Sequence, residues 1–332
     1  MLLRSLGARV TGYALDPPTN PNLFGLARAV EMVDSIRGDV RDLPALMSCV
    51  RAANPEIVIH MAAQSVVLDS YRDPVETYAT NVMGTVNLLE AVRLAARPCS
   101  VVNVTTDKCY QNNGWIWGYR ENDTLGGHDP YSNSKACAEL VGQSYRDSFF
   151  PTSRLREHGV GLASARAGNV IGGGDWTPHQ LIPDAIGAFG RGNPVVLRHP
   201  LAIRPWQHVL DCLGGYLTLA EALAADAVAF SGGWNFGPSD AESRTVAYVV
   251  EGLARRWDLA RAWVQDEAAH APEAAQLRLD VTQAAGRLGW RSRWSIDEAV
   301  AAVSDWYLGL RAGEDPRALC IGQIDRYLAN WR

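Results

Sequence analysis

Apolar residues along this chain fall into two alternating rhythms. Short stretches that are apolar on both faces read as strands of a buried parallel sheet: "ARVTGYAL" (8–15), "EIVIHMAA" (56–63), the run 99–105 and "GVGLASARA" (159–167). "DSIRGDV" adds a shorter strand ending at Asp39. Helical spacings lie between them. "RDLPALMSCVRAA" has Asp42 as its N-cap and Pro44 in its first turn. Residues 73–96 read as one long helix, and another opens near Tyr131 and runs to about Phe149. "LLRSLG" has the spacing of a helix's last turns, with Gly7 as its stop. Strand–helix alternation predicts a Rossmann-type, doubly wound α/β sheet over 1–168. After Gly168 the pattern loosens into a smaller α+β region, 169–332. No linker separates the two parts, so a ligand is expected between them.

Composition narrows the function. Hydrophobic residues make up 47% and the net charge is −5, which leaves no basic footprint for nucleic acid. No apolar run approaches the ~18 residues of a membrane span. Six scattered cysteines with no C-x-x-C pair fit the reduced thiols of a cytoplasmic protein. No cluster of metal ligands stands out.

The chemistry concentrates in "TTDKCY" (105–110), at the end of an apolar strand. Such strand ends are where parallel sheets bind ligands. Of 31 Lys plus Arg, only Lys108 and Lys135 are lysines. Wherever bare charge suffices the chain uses Arg, so these two are candidates for work that needs a proton to leave. Tyr131 and Lys135 form Y-x-x-x-K at a helix start, on one helical face. A lysine beside a phenol can lower its pKa from about 10 toward neutral and make it a general base. Alone the spacing is a common surface pair. One strand–loop after "TTDK", it gathers Thr106, Asp107, Lys108, Tyr131 and Lys135 at one sheet edge.

These segments, together with "TGYALDPPTNPNLF", "DPYSNSKACAEL", "RAGNVIGGGDW", "IRPWQHV" and "WNFGP", resemble the extended short-chain dehydrogenases/reductases. Within them the likeness is to the nucleotide-sugar 4,6-dehydratases, nearest the CDP-glucose enzymes. It runs over most of the chain. It implies NAD as cofactor and a nucleotide sugar as substrate, converted to a 4-keto-6-deoxy sugar. Tyr131, with Lys135 and Thr106, would deprotonate the 4-hydroxyl while NAD takes the C4 hydride. Lys108 would take the C5 proton, Asp107 would protonate the departing 6-hydroxyl, and the hydride would return to C6. Cofactor contacts would come from Asp16, Asp39, Val40, Ala62, Ala63, Gln64, Tyr131 and Lys135. Substrate contacts would come from Asn169, Gln180, Leu181, Arg204 and Asn235, the guanidinium suiting a pyrophosphate. His60 and His208 lie in apolar contexts and read as core. The apolar circumference of helices 73–96 and 131–149 favours a homodimer through four helices.

Three departures qualify the likeness. "QSVVLDSY" carries Leu68 and Asp69 where the CDP-glucose enzymes have an Arg-containing segment, and "APEAAQLRLD" (271–280) is less polar than expected near the nucleotide. No G-x-x-G-x-x-G precedes Asp16, and "GGG" (172–174) belongs to the substrate side. The fold's first strand and glycine loop should lie about 20 residues before that acidic residue. The expectation is therefore of a first strand and loop missing from the chain, a native start some 20–30 residues upstream, and strands 8–15 and 56–63 with unpaired inner edges. Two alternatives stand beside the dehydratase: a nucleotide-sugar 4-epimerase, which has no use for an Asp–Lys pair, and a non-catalytic homologue that has lost NAD binding.

Overall fold

The computed structural model describes residues 1–257, 259–266, 268, 276–329 and 331. Helix α1 (Leu2–Ser5) ends just before Gly7, whose φ of 87° suits only glycine. β1 (Thr11–Ala14), α2 (Leu23–Leu26) and β2 (Asp34–Arg37) follow. α3 (Leu43–Ala53) begins where expected: the Asp42 carboxylate accepts from the Ala45 amide and Pro44 sits in the first turn. β3 (Ile57–His60) leads to α4 (Val67–Arg72), α5 (Pro74–Tyr78) and α6 (Gly84–Ala95). The single helix expected over 73–96 is interrupted by a π-helical turn, Ala79–Met83. The wide turn aims the buried Asn81 inward, where its amide bonds both backbone groups of Gln64 and the Ser134 hydroxyl.

β4 (Cys99–Thr106), α7 (Pro130–Ser148), α8 (Leu155–His158) and β5 (Val160–Ala167) complete the first half. The second half contains β6 (Asn169–Ile171), α9 (Leu181–Gly190), β7 (Val195–Leu197), β8 (Ile203–Arg204), β9 (Trp206–His208), α10 (Val209–Ala225) and α11 (Ala227–Phe230). It ends with β10 (Gly232–Phe236), β11 (Arg244–Thr245), α12 (Val246–Ala254), β12 (Trp263–Gln265), α13 (Ile296–Arg311) and α14 (Pro316–Leu328).

The main sheet runs β10-β5-β4-β3, all parallel. On one face Leu89, Val92 and Phe150 cover Val101, Val160 and Leu162. On the other, Cys212, Tyr216 and Leu219 of α10 cover Val102, Ala163 and Ala165. The boundary expected at 168 is therefore not the boundary of the sheet. "GGWNF" (232–236), read as part of the smaller region, joins the sheet because Trp234 and Phe236 bury their rings against α10. A separate core, with Ile182, Phe189, Trp206, Val250, Val300 and Trp306, holds the rest of the second half together.

Among the described residues β1 and β2 pair only with each other, as a separate two-stranded sheet. Tyr13 of β1 and Val58 of β3 pack on one cluster, Leu46, Val50, Leu88 and Ala91 of α3 and α6. Each strand has one edge without a ladder partner among the described residues. The "GGG" glycines are packing residues: a Cβ on Gly173 would strike Trp306 at 2.2 Å and one on Gly174 would meet Leu23 at 2.8 Å.

Candidate active site

β4 is a buried, mostly apolar strand that ends in polar residues, and the expected catalytic residues begin at that end. Thr106 caps the following turn, its hydroxyl accepting from the Lys108 amide at 3.3 Å. The same hydroxyl donates to Asp107 Oδ1 at 3.0 Å. Lys108 Nζ lies 3.7 Å from that carboxylate, and the lysine side chain stays 31% exposed against 0% for the aspartate. Asp107 Oδ2 is buried with no protein partner. A buried carboxyl oxygen without a partner is unusual in a folded protein, and here it stands next to a lysine that reaches solvent.

α7 supplies the other half. Asp129 caps it, accepting from the Ser132 amide at 2.9 Å, with Pro130 in its first turn. Gly127 lets the approaching loop press on the helix start, where a Cβ would stand 2.3 Å from Ser132. Tyr131 and Lys135 are both buried on the inner face. Burial pushes the Tyr131 phenol well up, the Asp107 charge adds to this, and the hydrogen bond with Thr106 opposes it. The expectation that Lys135 sets the phenol low is thus not what dominates here. Lys135 Nζ donates to Val104 O at 3.2 Å. Burial lowers its pKa to about 8, while Glu139 and Cys109 hold it up.

The other expected residues divide into two groups. On the cofactor side, Asp16 follows β1 and pairs with Arg37 at 2.6 Å in an exposed position. The Asp39 carboxyl is held below its ordinary range by hydrogen bonds from Arg41. Val40 is buried, and its carbonyl accepts from Asn87 at 2.9 Å. Ala62, Ala63 and Gln64 leave β3 half-buried, with Gln64 fixed by Asn81 and by its own bonds to Val66 and Thr77. Among the described residues, no G-x-x-G-x-x-G turn precedes Asp16.

Among the residues expected on the substrate side, Asn169 Oδ1 is buried without a hydrogen-bond partner. Gln180 is the N-cap residue of α9 without a side-chain bond to it, and Leu181 follows. Nearby opens a cleft of about 530 Å³ lined by Trp176, Pro178, Pro183 and Val196. Arg204 is buried in β8, which pairs with β11. Asn235 is different. Its amide is spent inside the protein: Oδ1 accepts from Tyr110 at 2.7 Å, and Nδ2 donates to Tyr119 O and Asp280 O at 2.8 and 3.0 Å. Leu68 and Asp69 fall in α4, where Asp69 pairs with Arg72 at 3.1 Å. In "APEAAQLRLD", residues 271–275 lie outside the described residues; Gln276 bridges to Ile203. His60 and His208 are buried, and burial drives both to about 3, so both are neutral core residues.

Residues 22–303 match the family model described as GDP-mannose 4,6 dehydratase. The chain belongs to this family. It is 47% identical over 327 residues to CDP-glucose 4,6-dehydratase of Salmonella typhimurium, covering 98% of this chain and 91% of that protein. It is 30% identical to dTDP-glucose 4,6-dehydratase of Streptomyces antibioticus over 312 residues, 91% of this chain and 84% of the relative. Among solved structures it resembles MoeE5 in complex with UDP-glucose and NAD, with a TM-score of 0.76, 25% identity and 92% of each chain covered. As in the family's nucleotide-sugar enzymes, the fold is a parallel-sheet α/β architecture. No described helix of this family member is long and apolar enough to cross a membrane.

Sequence reading missed the residues that brace the site. Thr105, Glu139, Arg166 and Tyr110 form one buried polar group beneath it. The signal was present: an Arg inside the otherwise small and apolar "GVGLASARA", and a Glu four residues after Lys135 on the same helical face.

Proposed function

We propose that this protein carries out the NAD-dependent 4,6-dehydration of a nucleotide-activated hexose, with CDP-glucose as substrate and CDP-4-keto-6-deoxyglucose as product. The observation that carries the reading is the buried Asp107 carboxyl, one oxygen unpartnered, beside Lys108 and Thr106 and close enough to Tyr131 for its charge to act on the phenol. The near-full-length likeness to a CDP-glucose 4,6-dehydratase supports the choice of cytidine nucleotide.

Tyr131 accepts the proton of the sugar 4-hydroxyl, with Thr106 hydrogen-bonded to its oxygen. Because burial opposes the phenolate, the base needs positive charge close by, and Lys135 is the buried cation of the same helix face. Bound NAD supplies the hydride acceptor at C4 and the hydride donor at C6. With a ketone at C4 the C5 hydrogen is acidic; Lys108 removes it, and Asp107 gives its proton to the 6-hydroxyl, which leaves as water. A 4-epimerase would leave this acid–base pair idle. Asp16, Asp39, Val40, Ala62, Ala63 and Gln64 flank the cofactor, and Asn169, Gln180, Leu181 and Arg204 hold the nucleotide sugar. Asn235 acts from beneath the site. In this reading residues 1–168 carry most of the cofactor side and 169–332 most of the substrate side.

The protein works as a cytoplasmic homodimer and binds no nucleic acid. Unpaired cysteines and the acidic balance support this, as do the exposed Val75, Met83 and Leu140 along α5 to α7. Light scattering should give twice the chain mass, and Leu140→Glu should halve it; a monomeric wild type rejects the dimer. The deciding assay incubates the protein with NAD and CDP-, dTDP- or GDP-glucose and follows the alkaline absorbance of the 4-keto sugar. Product from CDP-glucose is expected; turnover of only another nucleotide overturns the substrate, and no turnover of any overturns the reading.

A further inference from the structure

Glu139 sits two helical turns after Tyr131 and one after Lys135, on the same inner face of α7, and is 2% exposed. Arg166, in the middle of the sheet, meets it with a two-pronged pair: Nε to Oε1 at 3.0 Å and Nη2 to Oε2 at 2.9 Å. Two of the pair's other bonds go to the segment that bears the acid and base. Thr105, just before the Thr106–Asp107–Lys108 turn, donates to Glu139 Oε1 at 2.5 Å. Tyr110, just after it, accepts from Arg166 Nη1 at 2.8 Å, and the guanidinium lies 5.1 Å from its ring centre. The Tyr110 hydroxyl donates to Asn235 Oδ1 at 2.7 Å, and Arg166 also donates to Glu121 O at 2.9 Å.

Isolated buried charges are costly, and a buried pair is weak evidence for stability as such. A planar guanidinium that forks to a carboxylate and a phenol fixes direction as well as charge. We propose that Glu139 and Arg166 are positioning residues of the reaction: one buried ion pair that grips both flanks of the Thr106–Asp107–Lys108 turn and keeps a negative charge one helical turn from the Lys135 ammonium. The catalytic part of this rests on the dehydratase reading; the electrostatic part does not.

Several groups surround Lys135. His60 approaches from β3 and is neutral. Asp107, Lys108 and Cys109 lie on the turn after β4, and Tyr131 and Glu139 on its own helix. Arg166 lies behind Glu139 on β5. Of these, Glu139 contributes most to holding the Lys135 ammonium protonated against burial. Removing its charge lets the lysine lose its proton at lower pH, which in the proposed mechanism takes away the cation that supports the Tyr131 phenolate.

The chain has only two lysines, which makes the test direct. Protein carrying isotope-labelled lysine gives two side-chain NMR signals, assigned by loss of one in Lys108→Met, and each titrates separately without substrate or cofactor. In Glu139→Gln the Lys135 midpoint should fall by about one pH unit, tenfold in proton affinity, with Lys108 far less moved. With CDP-glucose and NAD, the alkaline limb of NADH formation should move down by the same amount while KM stays within about twofold. Arg166→Lys keeps the charge and loses the fork, so it should accumulate NADH because elimination slows more than oxidation. Should Glu139→Gln fail to fold, Thr105→Val and Tyr110→Phe each remove one grip without leaving a buried charge, and each should slow elimination. An unmoved Lys135 midpoint in folded Glu139→Gln overturns the electrostatic role even if no sugar is turned over. Native elimination rates in Thr105→Val, Tyr110→Phe and Arg166→Lys overturn the positioning role.

Discussion

β5 and β1 are parallel strands of the same architecture in very different surroundings. All eight residues of β5 are buried, with a strand on either side and a helix layer on each face. β1 has no fully buried residue, and β2, its sole ladder partner among the described residues, exposes three of its four. The β4–β5 half can hold charges such as Arg166, Glu139 and Lys135 in place because the surrounding core leaves them nowhere else to point. The β1–β2 half holds its acidic residues, Asp16 and Asp39, at the surface in pairs with Arg37 and Arg41. On the proposed mechanism, acid–base chemistry is built into the well-packed half, and the outer cofactor contacts into the half with the thinner core.

The largest effect expected from breaking this division is at Tyr131. Tyr131→Phe should cut hydride transfer by roughly 10² to 10⁴, the range of a general base, with no NADH appearing. NADH formed at the native rate would move the base out of the β4–α7 corner. Lys108→Met and Asp107→Asn should leave oxidation standing and slow water loss by about 10². They should accumulate NADH and a 4-keto-hexose nucleotide, and wild-type yields of 6-deoxy product would remove both residues from the mechanism.

Stability sharpens the same contrast. Leu162→Ala in β5 empties a closed core site and should cost about 2–5 kcal/mol. Ile36→Ala in β2 should cost below about 1 kcal/mol. Urea unfolding that finds the two costs equal would show the halves to be one cooperative core. In hydrogen exchange, amides of β1 and β2 should exchange at least about tenfold faster than those of β4 and β5; equal protection contradicts the split sheet.

The smallest effect concerns pH. Burial lowers His60 from 6.5 to about 3, so between those values the unfolded chain binds a proton that the folded one refuses. Stability therefore rises with pH across that window and is progressively lost as pH falls from 6.5 toward 3. His60→Asn should flatten part of that slope in pH-dependent melting. An unchanged slope would show that His60 is protonated in the fold.

The sequence by itself determined three strands of the main sheet, β3, β4 and β5, the start of α7 and the cap at Asp42, and it singled out Thr106, Asp107, Lys108, Tyr131 and Lys135. Those are local facts: apolar runs, a capping side chain, and polar residues placed where a strand must stop. Only the tertiary structure decided which polar residues were already spent. Asn235 looks like a ligand contact in "WNFGP", yet its amide closes on Tyr110, Tyr119 and Asp280, residues 45 to 125 positions away. The break in the helix over 73–96 came from Asn81 reaching Ser134, 53 residues on. The recruitment of β10 past residue 168 came from two aromatic rings finding α10. The lift on the Tyr131 phenol came from burial, which spacing along the chain does not measure. A side chain's neighbours along a helix or strand are set by its period; its partners across the core, and the dielectric it feels, are set only when distant elements close over it.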